Sequence, residues 1–193
     1  MKNKIFLILL VNLLVTTLAM ASLEGVNIGD NVPVKKVKTI YGKILNLSDS
    51  KYEYVLVFYR GSWCPYCVNQ LKSIESDILP NIKPKQKIVA ISVDKNVVAK
   101  KMKSKFKLNY EIVSDPKAQL LRAFNIANKI DDELVKKYKN TYSIDIEEDS
   151  GEKHHIVAHP AVFIIKNGKI KYKDIHINYK ERTKNEEIIK NLK

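Results

Sequence analysis

The stretch that most restricts how this chain can fold is a junction. An unbroken apolar run, Tyr54-Val55-Leu56-Val57-Phe58, leads through Tyr59-Arg60-Gly61-Ser62-Trp63 into Cys64-Pro65-Tyr66-Cys67, where helical spacing begins. Consecutive β-branched and aromatic residues suit a strand buried on both faces. Pro65 suits the first position inside a helix, since it has no N–H to leave unpaired and its φ is already helical. Cys64 then falls at or near the N-cap and Cys67 one turn further in. Residues three apart share a helix face, so the two sulfurs can meet. Free amides and the helix dipole favour negative charge at an N-terminus. We therefore expect Cys64 to be an accessible thiol that ionises below the ~8.5 of a free cysteine, with Cys67 its more buried partner.

These are the only two cysteines in the chain. A bridge closing so short a loop removes little unfolded-state entropy and makes a poor staple. A zinc site wants about four ligands, and no second cysteine pair exists. The spacing therefore reads as a redox-active pair, the alternative being an inert bridge or half of a metal site.

The first residues read differently from the rest. Lys2 and Lys4 precede an apolar run from Ile5 to Met20, broken only by Asn12, Thr16 and Thr17, and Ala19-Met20-Ala21 at its end matches a small-x-small cleavage site. This is the pattern of a secretory signal peptide over residues 1–21, and the run is shorter than the ~20 apolar residues of a spanning helix. The expectation is an exported protein, in a bacterial periplasm, not an integral membrane protein once processed. An uncleaved anchor is the alternative. Export permits disulfides, yet only one bridge is available, which again suggests a working couple. The mature part, residues 22–193, suits one domain. Without Lys2 and Lys4 the formal charge falls from +13 to +11, carried mostly by scattered lysines, with only Arg60, Arg122 and Arg182 as arginines. No basic run interleaved with aromatics suggests nucleic acid, so the charge reads as a solvated surface.

Along the mature chain, Val34–Ile40 reads as an edge strand and Ile44, Leu45 and Leu47 as a second short one. Tyr54–Tyr59 reads as a central strand. Val68, Leu71, Ile74 and Ile78 recur three or four apart, predicting a helix from the cysteines to Pro80. Lys87–Val93 is a buried strand, Lys95–Lys107 a helix, Glu111–Ser114 a strand, and Asp115-Pro116 opens another helix. That alternation implies parallel crossovers. Asp131–Lys139 is a short helix and Glu147–Lys153 an exposed loop, both within an insertion over the core. Ala161–Ile165 and Lys169–Ile175 pair across the hairpin dipeptide Asn167-Gly168, and Lys184–Leu192 closes the chain as a helix. The fold class is α/β, a central mixed sheet flanked by helices with an N-terminal strand extension.

The order strand, Cys-x-x-Cys helix, crossover and final hairpin resembles the thioredoxin-like fold. Tyr59-Arg60-Gly61-Ser62-Trp63-Cys64-Pro65-Tyr66-Cys67 resembles the active-site stretch of the peroxiredoxin-like branch of the alkyl hydroperoxide reductase/thiol-specific antioxidant family. Gly29-Asp30, Ser114-Asp115-Pro116, Arg122-Ala123-Phe124 and Pro160-Ala161-Val162-Phe163-Ile164-Ile165 add to it. The resemblance spans about residues 27–190. It implies that Cys64 is the nucleophile and Cys67 its resolving partner, and that Pro160 is a cis-proline facing them with His159 beside the pair. It also implies a peroxide or disulfide substrate and a thioredoxin-like or other dithiol reductant, with no cofactor. Two positions depart from the family: Gly61 stands where it has threonine or serine, and Val57 where it has proline. The family's arginine is also absent from its usual place, and Arg60 is the candidate substitute.

Three functions compete. A thiol peroxidase would form a sulfenic acid on Cys64 that Cys67 condenses to a disulfide. A thiol–disulfide oxidoreductase would use the same sulfurs through a mixed disulfide, with Arg60, Trp63, Tyr66, His159 and Pro160 as the binding surface. A copper-binding module would pair the soft thiolates with His154, His155 or His159.

Overall fold

The computed structural model describes residues 25–192; the expected signal peptide lies outside them. Five strands form the central sheet in the order β5-β4-β3-β8-β9. β3 (Glu53–Phe58), β4 (Gln86–Ser92) and β5 (Glu111–Ser114) run parallel, while β8 (Ala161–Lys166) and β9 (Lys169–Ile175) are antiparallel additions. α1 (Pro65–Ser73) connects β3 to β4, and α2 (Asn96–Lys105) connects β4 to β5. Parallel neighbours need such crossovers. All six residues of β3 are buried, as a central strand covered on both faces requires.

Alternation along the strands divides the interior in two. Tyr54, Leu56 and Phe58 face one core with Val89, Ile91, Phe163 and Ile165, sealed by α3 (Gln119–Ala123) through Leu121 and the adjoining Phe124. Val55, Val57 and Tyr59 face the other with Ile88, Ala90, Val162 and Ile164. That second core holds both cysteines, Leu71 of α1, Met102 of α2 and Ile188 of α6 (Asn185–Asn191). The cysteine pair is thus embedded in a packed layer between the sheet and three helices. The antiparallel ribbon β1 (Lys36–Lys38) and β2 (Ile44–Asn46) forms the N-terminal extension.

Several expectations are corrected. The helix after Cys64 does not run evenly to Ile78: α1 ends at Ser73, residues Ile74–Ile78 form a wider turn, and Leu79 N–H bonds back to Ile74 C=O. Residues 147–153 are not simply a loop. α5 (Ile146–Ser150) forms there, because the Asp145 carboxylate accepts from Glu148 N–H at 2.9 Å and Gly151 turns the chain at φ +75°. Such an N-cap and a left-handed glycine are ordinary helix ends. α4 (Asp132–Tyr142) runs three residues further than Lys139. β6 (Ala127–Lys129) and β7 (Ile156–Ala158) pair antiparallel around α4 and α5, tying down the insertion. No peptide bond among the described residues is cis, so Pro160 is trans. Extended pairing holds it on both sides: His159 N–H donates to Ile126 C=O and His176 N–H donates to Pro160 C=O, each at 2.9 Å.

Candidate active site

β3 ends beneath the site. The next residue stays in register, since Tyr59 N–H donates to Ile91 C=O at 3.0 Å. The chain then turns through Arg60-Gly61-Ser62-Trp63. Ser62 N–H donates to Asp94 Oδ2 at 2.9 Å, and Cys64 N–H donates to Gly61 C=O at 3.2 Å. Cys64 is the N-cap of α1, extended at φ −87° and ψ 115°, with Pro65 opening the first turn and Val68 N–H bonding to Cys64 C=O. Cys67 sits one turn inside, as the spacing requires.

Both thiols are reduced and enclosed, Cys64 at 1% and Cys67 at 0% exposure. The expectation of an open nucleophile is therefore wrong: a helix tip that packs into the core beside Trp63 leaves little of Cys64 to solvent. The two sulfurs nonetheless differ sharply in acidity. The Cys67 thiol hydrogen-bonds to the Cys64 sulfur and lowers its pKa to about 6 against the opposing effect of burial. The Cys67 backbone N–H and the charges of Arg60 and Arg182 add to the lowering. Cys67 moves up, because burial and the neighbouring Cys64 sulfur disfavour a second thiolate. The order expected from the sequence holds, but its main cause is the partner thiol.

Arg182 is the residue that sequence reasoning missed. Its Nη2 donates to Cys67 Sγ at 3.0 Å and lies 3.9 Å from Cys64 Sγ. Arg60, the expected substitute, is used elsewhere. It is 4% exposed, its guanidinium 4.9 Å from the Trp63 ring, 4.7 Å from Tyr179 and 5.8 Å from Tyr138, and it donates to Tyr138 Oη at 2.9 Å. Its backbone N–H donates to Cys67 Sγ at 3.4 Å. Arg60 therefore locks the loop to α4, and its charge acts on Cys64 from within that aromatic cage. In a chain rich in lysine, a single arginine in a lysine-studded tail was the available signal for Arg182, since fork-shaped guanidinium recognition is not interchangeable with a lysine.

Trp63 also accounts for Gly61. A Cβ at residue 61 would meet Trp63 Nε1 at 2.3 Å and Cδ1 at 2.8 Å. The indole thus fills the space that a threonine or serine side chain would need. Tyr66 is 41% exposed and packs edge-on against Tyr179 with ring centres 6.0 Å apart. His159 is half-buried, its basicity lowered by burial and then by the Arg60 charge. Among the described residues it has no hydrogen bond to either sulfur, and Pro160 is buried one residue before the pair Phe58–Ala161.

The copper reading finds no ligand set. Ile156 N–H donates to His154 Nδ1, leaving Nε2 to donate to Pro116 C=O at 2.7 Å. His155 lies between Asp132 and Glu147 at 2.8 and 2.7 Å. Among the described residues no group of three or more His, Cys, Asp or Glu side chains could hold a metal ion.

Comparison with known proteins agrees with this geometry. The AhpC/TSA family profile matches residues 28–173, which leaves Arg182 beyond the matched region. The thiol-disulfide oxidoreductase ResA of Bacillus subtilis is 29% identical over 116 residues, covering 55% of this chain and 60% of ResA. The chain thus matches less than two thirds of that relative's length. Peroxidoxin BcpB of Mycobacterium tuberculosis superposes with a TM-score of 0.62 at 16% identity, covering 86% of this chain and 93% of BcpB. Reduced Prx3 of Vibrio vulnificus gives 0.65 at 16% identity, over 87% and 99%. These likenesses show a shared thioredoxin-like fold. The chain belongs to the AhpC/TSA family.

Proposed function

We propose that this protein is a thiol–disulfide oxidoreductase that works through Cys64 and Cys67. The observation that carries the proposal is the placement of the pair: Cys64 caps α1 and Cys67 lies buried one turn inside, held by Arg182 Nη2 at 3.0 Å and by Arg60 N–H at 3.4 Å, with Trp63 filling the space over Gly61; the lowered Cys64 and raised Cys67 pKa accord with it. Cys64 thiolate attacks one sulfur of a substrate disulfide. That S–S bond breaks, a mixed disulfide forms, and the departing thiolate takes up a proton. Cys67 then loses its proton and attacks Cys64 Sγ, releasing the second substrate thiol and leaving Cys64 and Cys67 oxidised. Two electrons have passed to the substrate, and an external dithiol, thioredoxin-like or other, reverses the change.

The charges time these steps. Cys64 thiolate is one of the causes holding the Cys67 pKa up. Once Cys64 is tied in the mixed disulfide, its negative charge is gone, while Arg182 stays against Cys67 Sγ. The second thiol therefore becomes easier to ionise when its turn comes. The packing of Trp63 over Gly61 favours disulfide over peroxide, because it displaces the hydroxyl that would hydrogen-bond a peroxide oxygen.

One observation favours a second reading. Arg182 Nη2, 3.9 Å from Cys64 Sγ, can polarise an O–O bond. Cys64 thiolate would then take one peroxide oxygen to become a sulfenic acid, releasing water or an alcohol, and Cys67 would condense with it, expelling water. Parallel turnover assays with a model disulfide and with hydrogen peroxide separate the two. Disulfide turnover that exceeds peroxide turnover and vanishes in Cys64→Ser supports the proposal; the reverse order supports the peroxidase. We further propose that residues 1–21 direct export and are removed, on the strength of their charge, length and Ala19-Met20-Ala21 pattern. The intact mass of protein recovered from the periplasm after expression in a bacterial host tests this.

A further inference from the structure

Part of the lysine charge gathers at the end of the sheet remote from the cysteines. β3 begins there at Glu53, which pairs with Gln86 of β4 on one side and with Lys166 of β8 on the other. Lys83 and Lys85 lie in the turn that enters β4, where Lys83 C=O accepts from Gln86 N–H at 2.8 Å and Lys85 C=O accepts from Glu53 N–H at 2.9 Å. Lys51 and Tyr52 lead into β3. Together with Lys166 these residues rim a cleft of about 210 Å³. Clefts that enclose small ligands span roughly 300–1,000 Å³, so this one is too small to do so and presents its charge outward.

Lys51, Lys83, Lys85 and Lys166 are all exposed. None of their ammonium groups has a carboxylate partner among the described residues. Glu53, the one carboxylate side chain among the described residues lining the cleft, is buried and already matched: Lys171 Nζ lies at 3.2 Å and Gln86 Nε2 donates to it at 2.8 Å. The nearby Asp49 carboxylate accepts from the Lys51 backbone N–H at 2.9 Å. Lys51 and Lys87 each hold Nζ 5.4 Å from the centre of the Tyr52 ring. No arginine lines the cleft, and this selects the kind of surface it fits. Lysine is a hydrated point charge without the fork that grips one carboxylate or phosphate in fixed geometry. Several lysines at one end suit a broad negative surface whose charges move to meet them. The anionic headgroups of a bilayer form such a surface, and lysine clusters of this size are drawn to it. A tyrosine among them suits the headgroup level, where the ring meets apolar matter and the hydroxyl meets water.

We infer that this lysine pole docks the protein on the surface of a bilayer rich in anionic phospholipid. β3 runs six residues from the pole toward the cysteines, about 20 Å at ~3.3 Å per residue. Docking at the pole therefore turns Cys64 and Cys67 to the aqueous side. The inference is independent of the exchange reading, since it uses none of the residues around the sulfurs. Exposed charges of this kind are screened by salt, so the attachment is reversible and weakens as ionic strength rises.

The test measures partition of the full-length chain onto vesicles of phosphatidylglycerol and of phosphatidylcholine in about 0.1 M salt, where charges act over ~10 Å. The phosphatidylcholine arm reads any contribution of the apolar residues 5–20, which every variant shares. Each lysine near an anionic surface strengthens partition about fivefold. The triple variant Lys83→Gln, Lys85→Gln, Lys166→Gln should therefore bind phosphatidylglycerol about 100-fold more weakly, with its phosphatidylcholine binding unchanged. A matched triple variant, Lys136→Gln, Lys137→Gln, Lys153→Gln, removes the same charge from exposed positions of the insertion and should lose less than about fivefold. Trp63, the only tryptophan in the chain, lies at the cysteine end and should keep its fluorescence on phosphatidylglycerol with brominated acyl chains. Equal losses in the two triple variants would reduce the effect to net charge and overturn the pole. Wild-type protein that binds the two lipids alike, or that ignores both yet is retained by polyglutamate, overturns docking on lipid. Strong quenching of Trp63 overturns the orientation.

Discussion

Replacing Arg182 with methionine removes a charge while keeping an unbranched side chain, and the structure sets the size of the effect. Arg182 Nη2 donates to Cys67 Sγ at 3.0 Å, and a hydrogen bond to a charged group is worth about 1.5–3 kcal/mol. When Cys67 becomes a thiolate in the resolving step, the wild-type protein has that bond and the variant does not. At 1.36 kcal/mol per tenfold, resolution should slow by about 10- to 150-fold. The effect on the first step is smaller, because at 3.9 Å Arg182 is the last of the causes acting on Cys64. Rapid mixing of reduced protein with excess model disulfide, followed by acid quench and intact mass, reads both steps. Wild type should pass quickly to the internal disulfide, whereas Arg182→Met should accumulate the mixed disulfide. Equal resolution rates would refute the role assigned to Arg182, and a variant slowed only in the first step would transfer that role to Cys64.

Two further outcomes follow from the loop. Gly61→Ala drives a methyl group into the indole of Trp63, whose Nε1 lies 2.3 Å from the new Cβ. Overpacking of this kind costs about 1–3 kcal/mol, so the urea midpoint should fall and the fluorescence of this sole tryptophan should shift; an unchanged midpoint and spectrum would contradict the packing. Burial raises the Asp94 pKa to about 7 from the 3.8 of a free side chain. The folded state therefore binds an extra proton between those values, and stability falls as pH rises from about 4 through about 7. Asp94→Asn still offers an oxygen to Ser62 N–H and should remove that slope, gaining stability over wild type above pH 7; parallel pH profiles of the two proteins would contradict it.

The junction at residues 58–67 was legible because its signals are local: an apolar run, a proline at the first helical position and two cysteines three apart. β5 was read to its last residue for the same reason, a short β-branched run ending at Asp115-Pro116. The short strands β6 and β7 were not read, since each owes its existence to a partner some thirty residues away and three residues carry no periodicity. α5 is polar and half-exposed, so burial patterning is silent there, although Asp145 and Gly151 mark its ends. At the site, Cys64 and Cys67 were legible and their surroundings were not. Arg182 reaches Cys64 across 118 positions of sequence, and Tyr138, 78 positions away, and the still more distant Tyr179 take up Arg60. Local sequence marks the candidate sulfurs; tertiary packing decides which charge stands beside them and how deeply they are enclosed.

The most direct test is the ionisation of Cys64, followed by thiolate absorbance or by the pH dependence of iodoacetamide alkylation, in wild type and in Cys67→Ala. Wild type should titrate near pH 6, and Cys67→Ala, lacking the thiol that hydrogen-bonds the Cys64 sulfur, should titrate well above that, toward the ~8.5 of a free cysteine. An ordinary thiol pKa in wild type, or one unmoved by the loss of Cys67, would contradict the account.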